Sequence, residues 1–283
     1  MKFKQYNTIN NFWTRYGELI KKYELENTLM AGNCINMLKE EQEDAFYASI
    51  DDNKGNTLLA LMVPPYPIVL FATGEVDEKA FDLLSDSLMT LNISFTSVVA
   101  PNHLAEQFVH KLQEKEFYQV KELTKMQFFR LEKVTNIKRS KGKLRLAERK
   151  DLSFLKTWVP DAVIEMLGDE IDGEKKALSM IEEERLFLWI DENDIPVSMV
   201  AKTRPTFSDI TLAMVYTPKV YRKQGYASAS VAALSQMLLD EGYRYCTLFT
   251  DLANPTSNKI YKEIGYEAIL DYYEYDVENI VTK

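Results

Sequence analysis

Residues 215–228 of this 283-residue chain read Val-Tyr-Thr-Pro-Lys-Val-Tyr-Arg-Lys-Gln-Gly-Tyr-Ala-Ser. Arg222, Gly225 and Ala227 give the spacing R-x-x-G-x-A. The segment joins an apolar run at 210–216, stopped by Pro218, to a helical pattern at 227–240. Such a junction suits an anion. Gly225 permits a tight turn and close backbone approach. The amides that follow then point at one spot, at the positive end of the helix. Arg222 and Lys223 add charge, and the small residues at 227–230 leave room for a bulky phosphate group on the helix start. Three other motifs are missing: G-x-x-x-x-G-K-[ST], G-x-G-x-x-G and G-x-S-x-G. These would mark a P-loop, a dinucleotide fold and a nucleophile elbow.

The elements needed to position this loop can be read around it. In the second half, apolar runs at 143–147, 186–191, 197–202, 210–216, 246–250 and 268–275 read as strands. Segments 152–167, 174–184, 227–240 and 255–264 read as helices. Gly242 falls just after the third helix, where a C′ glycine belongs. The first half gives nearly the same order. Strands are expected at 3–6, 45–51, 57–63, 68–72, 94–99 and 126–132, and helices at 10–22, 28–40, 78–91 and 102–114. This reads as two copies of one α/β unit. Element order alone leaves two unrelated α/β domains open. The clearest linker is the polar, basic stretch VTNIKRSKGK. It predicts a first domain at 1–135, a linker at 136–142 and a second domain at 143–283.

Composition narrows the partners. The formal charge is −9, divided as −5 before residue 135 and −4 after it. A general nucleic-acid binder would carry a basic face, so no nucleic-acid partner is expected. A cationic or amine-bearing small substrate is compatible. No apolar run reaches 18 residues, and the N-terminus MKFKQYNTINNFW has no apolar h-region, so neither a membrane span nor a secretory signal is expected. Cys34 and Cys246 lie far apart, which reads as buried thiols in a reducing cytoplasm. With two histidines, His103 and His110, no metal site is expected.

A second stretch, residues 254–266, reads Asn-Pro-Thr-Ser-Asn-Lys-Ile-Tyr-Lys-Glu-Ile-Gly-Tyr. Here the chain resembles the GNAT superfamily, the GCN5-related N-acetyltransferases. The loop matches the family form [QR]-x-x-G-x-[GA]. The second stretch matches an Asn, a small residue at +3, a Tyr at +7 and Gly-aromatic at +11 and +12, here Asn254, Ser257, Tyr261, Gly265 and Tyr266. The resemblance covers about residues 143–276.

The resemblance implies an α/β (α+β) fold of two GNAT-like units, each a mixed, mostly antiparallel central sheet flanked by helices. It implies an acetyl-CoA-dependent N-acetyltransferase that acts on a primary amine of a small molecule. The backbone of Val215 and Thr217, on a splayed strand, is expected to bond the pantetheine arm, and an amide near Val215 or Tyr216 to polarise the thioester carbonyl. Amides of Arg222, Lys223, Gln224, Gly225, Tyr226, Ala227 and Ser228 are expected to hold the pyrophosphate. Asn254 is expected to contact the cofactor arm. Tyr261 is expected to protonate the departing thiolate, a role suited to a phenol with a pKa of about 10. The base stays open among Asp209, Asp251, Glu170 and water. A non-catalytic acyl-CoA sensor or scaffold, and a longer acyl donor, also stay open.

The first half keeps the order without the chemistry. Thr73-Gly74-Glu75-Val76-Asp77 puts carboxylates where the loop would hold phosphate, which Coulomb repulsion disfavours. Asn102 and Ala105 match Asn254 and Ser257, but Val109 stands where Tyr261 would. A degenerate unit is expected, walling the groove, docking as half of an internal pseudo-dimer, or purely architectural. A monomer and a homodimer are both compatible.

Overall fold

Short runs rich in branched and aromatic residues form the strands and longer amphipathic segments the helices, so the chain mixes both throughout. The computed structural model describes residues 1–40, 42, 44–115, 117–135, 140–168 and 171–279. It divides into two compact units, Met1–Gln127 with Ile269–Lys283, and Phe128–Ala268.

The first unit begins with β1 (Lys2–Tyr6), α1 (Ile9–Lys22), α2 (Thr28–Lys39), β2 (Phe46–Asp51), β3 (Thr57–Met62) and β4 (Ile68–Thr73). It continues with α3 (Glu78–Thr90), β5 (Ser97–Pro101), α4 (Asn102–Gln113) and the first part of β6 (Tyr118–Leu131). Strands β1 to β4 are successive antiparallel neighbours, and β4 runs parallel to β5. Phe81, Leu84 and Leu88 of α3 and Leu104, Phe108 and Leu112 of α4 are buried with Leu58, Ala60, Ile68 and Leu70 of the sheet. Each full burial of such a side chain is worth roughly 1.5–3 kcal/mol.

The second unit contains the end of β6, then β7 (Lys143–Leu146), α5 (Leu152–Leu167), α6 (Gly173–Glu182), β8 (Leu186–Ile190), β9 (Pro196–Pro205) and β10 (Asp209–Tyr216). It closes with α7 (Tyr226–Asp240), β11 (Tyr245–Asp251), α8 (Pro255–Ile264) and the start of β12 (Glu267–Asn279). Its sheet order is β6-β11-β10-β9-β8-β7. The helix α7 and the strands share a core of Val231, Leu234, Leu238, Ile210, Leu212 and Leu248. Leu155, Val159 and Ala162 of α5 pack with Ala177 and Met180 of α6 and with Leu188 and Met199.

The compact units do not coincide with the sequence halves. The boundary falls at Gln127/Phe128, ahead of the expected linker, of which residues 136–139 lie outside the described residues. The chain's last strand completes the first unit: Tyr272–Asp276 of β12 pair antiparallel with Ser97–Pro101 of β5. Correspondingly, on the side away from β10 the neighbour of β11 is β6, a strand of the first half of the sequence. Among the described residues no helix is long and apolar enough to cross a membrane.

Candidate active site

The site begins with a break in strand pairing. β10 runs parallel to β11 over Asp209–Thr211 against Tyr245–Thr247, and the register ends there, although the strands continue to Tyr216 and Asp251. Against β9, Ala213 pairs with Ala201 but Tyr216 with Met199, so β10 carries one extra residue. Met214 takes φ 55 at this bulge. A bulge bends its strand and re-aims the residues beside it. Val215, Tyr216 and Thr217 follow immediately, beyond the end of the β10–β11 register.

The carbonyls around the bulge are not all open. Ser198 Oγ donates to the Tyr216 carbonyl at 3.0 Å and lies 2.9 Å from Thr217 Oγ1. The Thr217 carbonyl accepts Arg222 Nε at 2.8 Å. Val215 is half-buried against the same apolar cluster that contains Tyr261.

The loop then turns into α7 as the R-x-x-G-x-A spacing requires. Lys223 has φ 63 and Gly225 φ 80. Gly225 is the N-cap, with no side chain over the helix end. The first helical bond is Ala229 N to Gly225 O at 2.9 Å, so the amides of Tyr226, Ala227 and Ser228 precede the ladder. A Cβ on Gly225 would stand 2.8 Å from Ser140 Oγ. Ser140 itself donates to the Gln224 carbonyl, and the Tyr226 hydroxyl donates to Gln224 Oε1 at 3.3 Å. An uncapped helix start behind a left-handed glycine, with Lys223 and Arg222 beside it, fits a pyrophosphate.

Asn254 caps α8, its Oδ1 accepting from Ser257 N at 3.1 Å. It is exposed at the C-terminal end of β11, in the turn that follows the opened strand. Tyr261 lies on the buried face of α8, 8% exposed, with ring centroids 6.1 Å from Phe129 and 5.9 Å from Tyr266. Burial pushes its phenol up to about 12, so it stays protonated at neutral pH. Gly265 and Tyr266 have structural work. Gly265 ends α8 at φ 113, and the Tyr266 hydroxyl lies 2.8 Å from Ser235 Oγ in the core.

The three carboxylates singled out as bases sit differently. Asp209 is buried at the start of β10, at the far end of the strand from the bulge. Asp251 accepts from Ala253 N at 2.7 Å and shapes the turn into α8. Glu170 lies outside the described residues. The carboxylates that do reach the bulge are Asp161 and Glu165 of α5, which sequence reasoning passed over. Asp161 Oδ2 accepts the Tyr216 hydroxyl at 3.0 Å. Burial, then this bond, pushes the Tyr216 phenol up to about 12. Glu165 takes Arg222 Nη2 at 2.6 and 2.9 Å. The signal was present: Phe154, Trp158, Asp161 and Glu165 recur at helical spacing on one face.

The first unit repeats the frame without this site. β4 pairs with β5 at Ile68/Val98 and Val69/Val99, while its register with β3 runs unbroken from Thr73 to Val69, without a bulge. The start of α3 is filled by its own carboxylate, Asp77, which accepts from Lys79 N at 3.0 Å. Beside it, Glu75 and Val76 line a cavity of about 370 Å³ with Gly74, His103, Leu104 and Gln107. Burial lowers the His103 pKa, which disfavours a positive charge there. Val109 is buried in place of a tyrosine. Among the described residues no group of acidic, His and Cys side chains is placed to hold a metal.

Residues 186–275 match the family model described as FR47-like protein. Solved structures resemble nearly the whole chain. One is an acetyltransferase from the GNAT family from Colwellia psychrerythraea, 14% identical, with a TM-score of 0.58 over 99% of this chain and 100% of that one. A GCN5-related N-acetyltransferase from Sphaerobacter thermophilus is 13% identical, with a TM-score of 0.62 over 98% and 96%. A tandem GNAT protein from the clavulanic acid biosynthesis pathway is 9% identical, with a TM-score of 0.56 over 98% and 98%. No curated protein matches the sequence. At these identities the likeness is one of fold, and the chain has the GNAT fold.

Proposed function

We propose that this chain of GNAT fold is an acetyl-CoA-dependent N-acetyltransferase whose second unit transfers an acetyl group to a primary amine of a small molecule. The observation that carries the reading is the continuity of β10 and α7. A strand edge opened at Thr211 leads through a bulge into a helix start that glycine leaves uncapped. An amide-bearing arm ending in a pyrophosphate fits that path. The β10 edge around Val215 binds the arm, the amides of Lys223 to Ser228 hold the pyrophosphate, and Asn254 flanks the arm from β11.

Acetyl-CoA supplies the activated thioester when bound. An amide of the bulge near Val215 or Tyr216 polarises its carbonyl, and the neutral amine attacks directly. The new C–N bond forms as the C–S bond breaks, Tyr261 gives its proton to the departing sulfur, and the nitrogen releases its surplus proton to water, from which the Tyr261 phenolate is reprotonated. The first unit, with Asp77 across its α3 start, binds no acetyl-CoA and serves as support. Buried Cys34 and Cys246 suit a reducing compartment, and we place the protein in the cytoplasm as a monomer or homodimer.

A non-catalytic acyl-CoA sensor would share the loop, and Tyr261 is what favours the enzyme over it. Thiol release from acetyl-CoA with a panel of primary amines separates the two. Release above the hydrolytic background, dependent on the amine, is expected. Binding without release for any amine would leave the sensor.

A further inference from the structure

We infer that Asp161, beside the rings of Trp158 and Tyr216, anchors the acceptor, and that the acceptor is an aliphatic amine carrying a second, positively charged group besides the amine that is acetylated. This rests on the acetyltransferase reading of the same site, because it places the acceptor beside the β10 bulge.

The geometry starts from α5. Its residues 154, 158, 161 and 165 recur at spacings of four, three and four, so they share one face. That face meets the end of β10. Trp158 and Tyr216 have ring centroids 6.2 Å apart, and the Tyr216 hydroxyl donates to Asp161. Phe154 extends this pair of rings, 4.8 Å from Trp158. An amine reaching a carbonyl at Val215 or Tyr216 from this side passes along these groups.

The charges on the face are not equivalent. Glu165 is neutralised by Arg222, which also stacks 5.9 Å from the Tyr216 ring. Asp161 has a neutral partner, the Tyr216 phenol, which burial and Asp161 itself keep protonated. Among the described residues Asp161 forms no ion pair. It is half-buried, where an ionised carboxylate is stabilised most by an incoming cation. The Trp158 and Tyr216 rings share the face with it, and aromatic faces attract cations. A carboxylate bounded by aromatic faces recognises an alkylammonium, whose pKa of about 10.4 keeps it charged at neutral pH. It offers little to a neutral aromatic amine. Asp161 is thus a specificity-determining residue, and the proton's route to solvent is a separate matter.

The test uses the full chain, 1,4-diaminobutane as the probe with a second charge, n-butylamine as the aliphatic probe without one, and aniline as the aromatic one. Asp161→Asn preserves shape and still accepts the Tyr216 hydroxyl. In steady-state turnover it is expected to raise KM for 1,4-diaminobutane at least about 10-fold, with KM for n-butylamine and for acetyl-CoA unchanged. Asp161→Glu is expected to recover part of the loss. Independently of turnover, 1,4-diaminobutane is expected to raise the Tm of the wild type and not that of Asp161→Asn. Wild type that prefers aniline, or equal KM values for 1,4-diaminobutane in wild type and Asp161→Asn, would overturn the inference. So would the absence of any Tm shift with 1,4-diaminobutane. Failure to bind acetyl-CoA would instead overturn the enzymatic reading.

Discussion

Nη2 of Arg222 lies 2.6 Å from Oε1 and 2.9 Å from Oε2 of Glu165, so the arginine of the anion loop is held by a carboxylate of α5. Its Nε donates to the Thr217 carbonyl at 2.8 Å, which ties the same guanidinium to the end of β10. The loop's strongest cation is partly spent before any phosphate arrives. One side chain therefore joins the two faces of the site.

Glu165→Gln removes the competing charge while keeping the shape. Acetyl-CoA affinity is expected to rise up to about 5-fold, the range of a partly exposed ion pair worth about 0–1 kcal/mol. The gain shrinks as salt screens the loop. Calorimetric titration at low and physiological salt measures it. A fall in affinity would mean that Glu165 orients Arg222 for the ligand.

Gly225→Val places a Cβ 2.8 Å from Ser140 Oγ at a φ of +80°. The left-handed backbone alone costs about 1–2 kcal/mol for a residue with a side chain. Stability in urea is expected to drop by that order, and acetyl-CoA affinity at least about 10-fold, because the turn that aims the amides cannot be kept. Unchanged affinity in the folded variant would remove this loop from the cofactor site.

Tyr261→Phe deletes one hydroxyl and little volume. Turnover is expected to fall by about 10²–10⁴-fold, with acetyl-CoA affinity nearly unchanged. The Tyr261 phenol is pushed up to about 12, so the wild-type rate shows no descending limb from this group below about pH 10. Equal turnover in the two proteins across the pH range would make Tyr261 a packing residue alone.

The same burial makes stability depend on alkaline pH. Tyr216 and Tyr261 are both raised to about 12 in the folded chain, against about 10 when unfolded. Below pH 10 both states hold the proton and the stability is complete. Between pH 10 and 12 the unfolded chain ionises first, so stability is lost as pH rises through that window. Urea denaturation at pH 7 and pH 11 measures the difference. Tyr216→Phe is expected to flatten it, and equal slopes for both proteins would contradict this account of Tyr216.

Local pattern carried most of the elements. Helices expected at 152–167 and 255–264 form as Leu152–Leu167 and Pro255–Ile264, because apolar period and capping residues act within a few turns. Gly225 and Tyr261 were legible for a related reason. A left-handed turn before a helix, and a tyrosine seven residues after a capping asparagine, are short-range facts. The strand expected at 126–132 instead begins at Tyr118, since the residues before it are polar and only pairing makes them extended.

The sequence by itself pointed to two α/β units of like element order, one with a glycine turn before a helix and one with carboxylates in its place. Those properties follow from residue types at short spacing. Tertiary structure decided which strand completes which sheet: Tyr272–Asp276 of β12 pair with β5, and β6 lies beside β11, pairings between residues far apart in the chain. It also decided that Asp161 and Glu165 face the bulge, 55 and 57 residues from their partners Tyr216 and Arg222. No local pattern records a contact across that separation, because it exists only once α5 has packed on β10.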